Sequence, residues 1–188
     1  DLDVDGNTTT DGITNAGNFS TDGGTIKLDG NYPTGTENTA LGDTALDSVQ
    51  AGGNYNVVLG SRAGTNITTG DNNVGVGAYA LCDIQTNSQN VAIGTETLKK
   101  TIADNNTAVG YISLRCNTTG ADNTAVGLCS LTANTTGCRN VSVGKGSLVS
   151  NTIGQQNTSL GFASMGDNTE GEFNTAIGSA SLADNTTA

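Results

Sequence analysis

Carboxylate pairs are the first residues of this chain that could do chemistry, because two carboxyl groups suffice for glycoside hydrolysis. Close pairs occur at Asp43 with Asp47 and at Glu170 with Glu172. The chain has four Tyr, three Phe and no Trp to line sugar subsites, and it has no His, the usual general base near neutral pH. We therefore expect these acids to be solvated, and we predict no catalytic residue and no enzymatic activity.

Metal-binding patterns are weak. Asp1–Gly6 matches the first half of an EF-hand calcium loop, but the twelfth position, which should be a bidentate Glu, is Gly12. The chain also has four cysteines, Cys82, Cys116, Cys129 and Cys138. They lack both Cys-x-x-Cys spacing and His partners, which disfavours zinc. We predict no metal and no cofactor, and buried or free thiols in preference to disulfides.

The charge balance also excludes several classes of partner. The chain has 18 acidic and 7 basic residues and a net charge of −11. Polyanion binding needs clustered positive charge, so nucleic acid is not an expected partner. No run approaches the roughly 18 apolar residues of a membrane span. We predict no membrane insertion.

A repeat organises most of the sequence. Its unit reads Asn, Thr or Val, a small residue, an aliphatic residue and Gly. The final residue, here called the anchor glycine, is Gly42, Gly60, Gly77, Gly94, Gly110, Gly127, Gly144, Gly161 and Gly178. An asparagine stands four positions before every one: Asn38, Asn56, Asn73, Asn90, Asn106, Asn123, Asn140, Asn157 and Asn174. Repeats of this length indicate stacked units that share a continuous core.

Each unit predicts one coil of an all-β solenoid of nine coils of about 17 residues. The residues one and three before the anchor glycine share one side of an extended chain, and they are all aliphatic or Thr. We expect this side to face the core, together with the apolar residue, usually Leu, four positions after the glycine. The asparagines are expected to form an amide ladder between coils. The segments Asn117–Gly120 and Asn134–Gly137 are expected to form a second corner.

The small residue between the two aliphatic positions carries a further prediction. It is Ala40, Val58, Gly75, Ala92, Ala108, Ala125, Ser142, Ser159 or Ala176, never a long polar residue. Pointing away from the predicted core, this row indicates an outer surface that something approaches closely. Another copy of the chain is the favoured occupant, and a loop of the same chain is the alternative. After the anchor glycine, Tyr111 and Phe162, with nearby Tyr79, could stack on a ligand, but exposed turns are the preferred interpretation.

A family resemblance rests on NTAVGYISLRCNTTGADNTAVGLCSLTANTTGCRN. This segment resembles the head repeats of trimeric autotransporter adhesins and is similar to the Asn-Thr-Ala-Val-Gly repeats of bacteriophage tail fibres. The resemblance covers residues 38–188. It implies a left-handed parallel β-roll, with three chains side by side in an extended fibre or adhesin. Adhesin heads have a shorter period, so the corners of this chain must be longer.

Two domains and three functions follow as expectations. Residues 1–37 predict a Gly/Asp-rich β connector, and residues 38–188 predict the solenoid. The favoured function is a structural shaft of a trimeric virion tail fibre, which meets other fibre proteins and projects a tip that contacts the host surface. The alternative is a bacterial cell-surface adhesin head that itself binds the host. An ice-binding solenoid is disfavoured, because the predicted outward residues are Ala or Ser and not a Thr-x-Thr array.

Overall fold

Nine short parallel strands form a single sheet in this computed structural model, which describes residues 37–187. The strands are β1 Thr39–Leu41, β2 Val57–Leu59, β3 Val74–Val76, β4 Val91–Ile93, β5 Thr107–Val109, β6 Thr124–Val126, β7 Val141–Val143, β8 Thr158–Leu160 and β9 Thr175–Ile177. Each pairs with the strand of the next coil, so the order in the sheet is the order in the chain. Residues 37–187 contain no helix. The predicted all-β solenoid is confirmed, and its nine strands make about eight turns.

Two predicted features belong to the start of the chain. The connector at residues 1–37, apart from Glu37, and the loop Asp1–Gly6 lie outside the described residues.

The repeated asparagine forms a ladder along the solenoid. The backbone N–H of Asn140 donates to Oδ1 of Asn123 at 3.0 Å, and Asn140 Nδ2 donates to the same oxygen at 3.2 Å and to the Gly154 carbonyl at 2.8 Å. Asn157 repeats this arrangement on Asn140. These amides are completely buried, and they are tolerated there because their polar atoms are bonded. The predicted ladder is confirmed.

The strand side chains face the opposite way from the prediction. The middle residue points into the solenoid, where Val58, Ala92 and Ala125 are fully buried. The flanking residues point outward, and Val141 and Leu160 stay 41% and 46% exposed. The predicted inward side is therefore wrong. The interior is narrow, and a row of leucines from the turn after the anchor glycine leaves room for only a small side chain from the strand.

That leucine row forms the opposite wall of the core. Its buried members are Leu46, Leu81, Leu98, Leu114, Leu131, Leu148 and Met165. They lie in turns and not in strands, with φ between 48° and 54°. A left-handed backbone costs a non-glycine residue roughly 1–2 kcal/mol. Burial of a leucine side chain contributes about 1.5–3 kcal/mol, which offsets that cost.

The coils are numbered 1 to 9 in the order of their anchor glycines, from Gly42 to Gly178. Coil 2 departs from the leucine pattern, and the structure shows why. Gly64 stands where the leucine is expected, while Val58 is the one branched residue in the middle-strand row. A Cβ on Gly64 would lie 2.9 Å from Val58 Cγ1 and 2.9 Å from Ile67 Cδ1. The valine and isoleucine thus occupy the space that a leucine takes in the other coils.

A second asparagine ladder, which the sequence did not predict, lies at the corner formed by the Asn-Thr-Thr-Gly segments. Asn134 Nδ2 donates to Asn117 Oδ1 at 2.7 Å and to the Gly137 carbonyl at 2.9 Å. The Gly137 carbonyl also accepts from Asn123 of the first ladder at 2.9 Å. The two ladders therefore meet on a shared acceptor, and a Cβ on Gly137 would overlap the Gly154 carbonyl of the next coil.

The second ladder occupies only part of the solenoid. Coils 1–3 have Val49, Ile67 and Ile84 at the same position, all buried. Coil 4 has Thr101, whose hydroxyl accepts from Asn117 Nδ2 at 3.0 Å. The corner thus changes from an apolar core to an amide ladder through one threonine.

Candidate functional site: the outward side of the strands

The outward side of the nine strands forms one continuous surface, which we call the strand face. Its first row is Thr39, Val57, Val74, Val91, Thr107, Thr124, Val141, Thr158 and Thr175. Its second row is Leu41, Leu59, Val76, Ile93, Val109, Val126, Val143, Leu160 and Ile177. The strands pair in register, as Val126 does with Val143. Each row therefore runs straight along the solenoid.

The strand face carries no charge. Both rows consist of Thr, Val, Leu and Ile alone, although the chain has 25 charged residues. Several of its large side chains are exposed in the single chain, including Ile93 at 40% and Ile177 at 68%. Exposed apolar patches that are contiguous mark interaction surfaces more often than scattered apolar residues do.

The predicted seam of small residues is wrong. Ala92, Ala125 and Ser142 are buried inside the solenoid and contact no surface. Because the sequence indicated which side of the strand is uniform but not which side faces out, the prediction placed an outward surface on the row that faces inward. The inward side could have been predicted from the sequence, because the turn leucines and the aliphatic strand residues cannot both fit into one narrow core.

The reversed direction of the strand side chains also removes the argument that was made against an ice-binding function. The outward positions are not Ala or Ser. The strand face nevertheless lacks a Thr-x-Thr array, because its second row contains no threonine. Thr118 and Thr135 lie in the Asn-Thr-Thr-Gly corner segments. Their hydroxyls donate to backbone carbonyls of the next coil at 2.8 and 3.0 Å.

The side of the coil that follows the anchor glycine changes character along the solenoid. Here Tyr111, Leu128 and Phe162 are 54%, 44% and 57% exposed. The equivalent residues in coils 1, 2 and 4 are polar: Asp43, Ser61 and Thr95. Tyr111 and Phe162 lie three coils apart and therefore do not form one stacking site. This apolar stretch was not predicted. The sequence could have indicated it, because the residue after the anchor glycine changes from mostly polar in coils 1–4 to aromatic at Tyr111.

Tyr79 is engaged within the protein. Arg62 lies over its ring at 5.6 Å from the centroid and Lys99 Nζ lies at 4.9 Å. Glu96 pairs with Lys99 at 3.4 Å and with Arg115 Nε at 2.8 Å. An aromatic ring and a carboxylate thus lie against Arg62, Lys99 and Arg115. Surface pairs of this kind contribute little to stability.

The four cysteines are free and half-buried. Burial and the neighbouring Asp83 carboxylate raise the pKa of the Cys82 thiol. Because the thiolate is the nucleophile, this shift makes Cys82 less reactive than an ordinary cysteine near neutral pH. Cys138 donates to Gln155 Oε1 at 3.1 Å.

The carboxylate pairs lie on exposed turns. Asp43 and Asp47 are exposed, as are Glu170 and Glu172, and Glu172 accepts from Gln155 Nε2 at 2.9 Å. Within residues 37–187 no group of three or more His, Cys, Asp or Glu side chains comes together to hold a metal ion. That part of the chain also has no helix that could cross a membrane.

No protein-family model matches this chain, and neither a curated protein nor a solved structure is similar to it.

Proposed function

We propose that the chain is a non-enzymatic structural shaft, in which copies associate side by side as a homotrimer through their strand faces. The observation that carries the proposal is the uncharged strand face, which is exposed or half-buried along nine coils in the single chain. Nine coils at the strand spacing of ~4.8 Å form a rod of about 40 Å. Such a rod fits an extended appendage better than a catalytic scaffold.

The repeat resemblance supports a particular setting. It favours the tail fibre of a virion, where the shaft meets other fibre proteins and holds a host-recognition tip away from the particle. In that setting the left-handed β-roll and the threefold association go together. A bacterial surface adhesin head is the alternative that the same resemblance implies.

Two hydrogen-bonded ladders and the buried leucine row give the rod its stiffness. Each coil bonds to the next through its strand, its asparagines and its turns. Because bonding runs along the axis, lateral association can use side chains alone and needs no strand edge. The proposal assigns no catalytic residue, metal or cofactor to the chain.

The test is one lysine on the strand face. Val126→Lys places a charge in the second row at coil 6, and burying it between copies would cost several kcal/mol. We expect this variant to fold and to run as a single chain in size exclusion with light scattering. Thr136→Lys is the matched control, on an exposed turn of the same coil, and we expect it to keep the assembled mass. Assembly of Val126→Lys at the wild-type concentration would overturn the proposal.

A further inference from the structure

A second apolar surface lies beside the strand face in one part of the solenoid. It consists of Tyr111, Leu128 and Phe162 after the anchor glycines, with the half-buried Ile112 and Cys129 directly after two of them in the chain. We call it the coil 5–8 patch. A glycine corner separates it from the strand face, so one flat partner surface cannot cover both.

The matching positions in coils 1, 2 and 4 have a different chemistry and include Asp43, Ser61, Arg62, Thr95 and Glu96. Coil 3 has Ala78 and Tyr79 there, and Arg62 and Lys99 lie over the Tyr79 ring. The patch is therefore a property of one half of the rod and not of the repeat as such.

A cyclic trimer is a heterologous assembly, in which each chain offers two different surfaces to its two neighbours. The strand face is one such surface, and the coil 5–8 patch supplies a second apolar one.

We propose that the occupant of the coil 5–8 patch is a second copy of this chain, which lays its strand face on the patch of its neighbour. This inference rests on the proposed function and deepens it. One charged side chain, Lys145, lies within the patch, with its ammonium 5.9 Å from the Phe162 ring centroid. Its apolar stem can add to the contact while the ammonium stays in water at the rim.

The contact makes the assembly uneven along its length. Coils 5–8 hold the copies together, while coils 2–4 present Arg62, Glu96 and Lys99 to the same neighbour and contribute less. A face-on arrangement, in which all three strand faces meet at the axis and the patch stays in water, is the competing geometry.

Charge-matched lysine variants separate the two geometries. Leu128→Lys and Phe162→Lys change the patch, and Ser61→Lys and Thr95→Lys make the same change in the same row of coils 2 and 4. Lys145 occupies this row naturally, so we expect all four variants to fold, with circular dichroism as the check. We expect the patch variants to raise the dissociation constant of the assembly at least tenfold and the controls to change it less than threefold.

Equal effects in the two pairs, or no effect in either, would overturn the inference while leaving the proposed function standing. A wild-type chain that does not assemble would instead remove the proposed function.

Thiol protection gives an independent readout within one coil. In a variant that keeps only Cys129, we expect a thiol reagent to react at least tenfold more slowly with the assembled chain than with the same chain dissociated by Val126→Lys. A variant that keeps only Cys138, on another side of coil 6, should react at similar rates in both states. Unchanged reactivity of Cys129 on assembly would overturn the inference.

Discussion

A single asparagine side chain does much of the work of joining one coil to the next. Asn140 bonds to Asn123 behind it, to the Gly154 carbonyl in its own coil and, through Oδ1, to the backbone N–H of Asn157 ahead of it. Glutamine would misplace these groups, and aspartate has no N–H to donate. The chemistry of the amide at this length therefore explains why no other residue stands at this position in nine coils.

Removal of one ladder amide should destabilise the protein strongly. Asn140→Ala leaves the buried N–H of Asn157 without its acceptor and removes the Nδ2 donor from Asn123 Oδ1 and from the Gly154 carbonyl. We expect a loss of about 3 kcal/mol in the free energy of unfolding. Urea unfolding followed by circular dichroism measures this loss. Asn66→Ala, at an exposed turn with only a 3.5 Å contact to Asp83, should change stability by less than about 0.5 kcal/mol. Equal free energies of unfolding for Asn140→Ala and Asn66→Ala would show that the ladder makes no specific contribution to stability.

The asparagine row could be predicted because it repeats without exception and its amide can bond in both directions. The second ladder could not, since Val49, Ile67 and Ile84 stand at its position in coils 1–3. A position that holds an apolar side chain in some coils and an amide in others shows its role only when the corner is seen in three dimensions.

At the scale of one coil, volume is conserved more strictly than residue type. In coil 2, Val58 stands in place of the small strand residue and Gly64 stands in place of the turn leucine that the neighbouring coils have. The interior admits one of these combinations at a time, because packing at native density leaves no spare methyl-sized space.

This exchange predicts a compensating pair of substitutions. Val58→Ala alone opens a cavity, and Gly64→Leu alone drives a side chain into Val58 and Ile67, so each should destabilise the protein by about 1–3 kcal/mol. The backbone of Gly64 already has φ near that of the other leucines. The double variant Val58→Ala/Gly64→Leu should therefore lose at least about 1 kcal/mol less than the sum of the two. Additive losses in a double-mutant cycle of urea unfolding would contradict this account of the core.

The coil period, the strand position and the turn glycines could all be predicted from spacing. The direction of the strand side chains could not, because a period of two identifies two sides and does not say which is buried. The leucine row determines which side of the strand is buried. Its members point inward from a left-handed turn conformation, which no strand pattern indicates.

For the whole molecule, the consequence is a rod whose interior combines an apolar core with hydrogen-bonded amides and whose outside is partly apolar. Buried asparagine and serine bond within the interior, while Val, Leu, Ile and Thr line one outer face. This arrangement is costly for a chain that stays alone in water and favourable for one that associates laterally.

Sedimentation equilibrium of the full chain at several salt concentrations tests the central claim most directly. We predict a mass three times 18.8 kDa, unchanged by salt, because the contacting face carries no charge for ions to screen. A mass of a single chain at every concentration and salt would contradict association through the strand face.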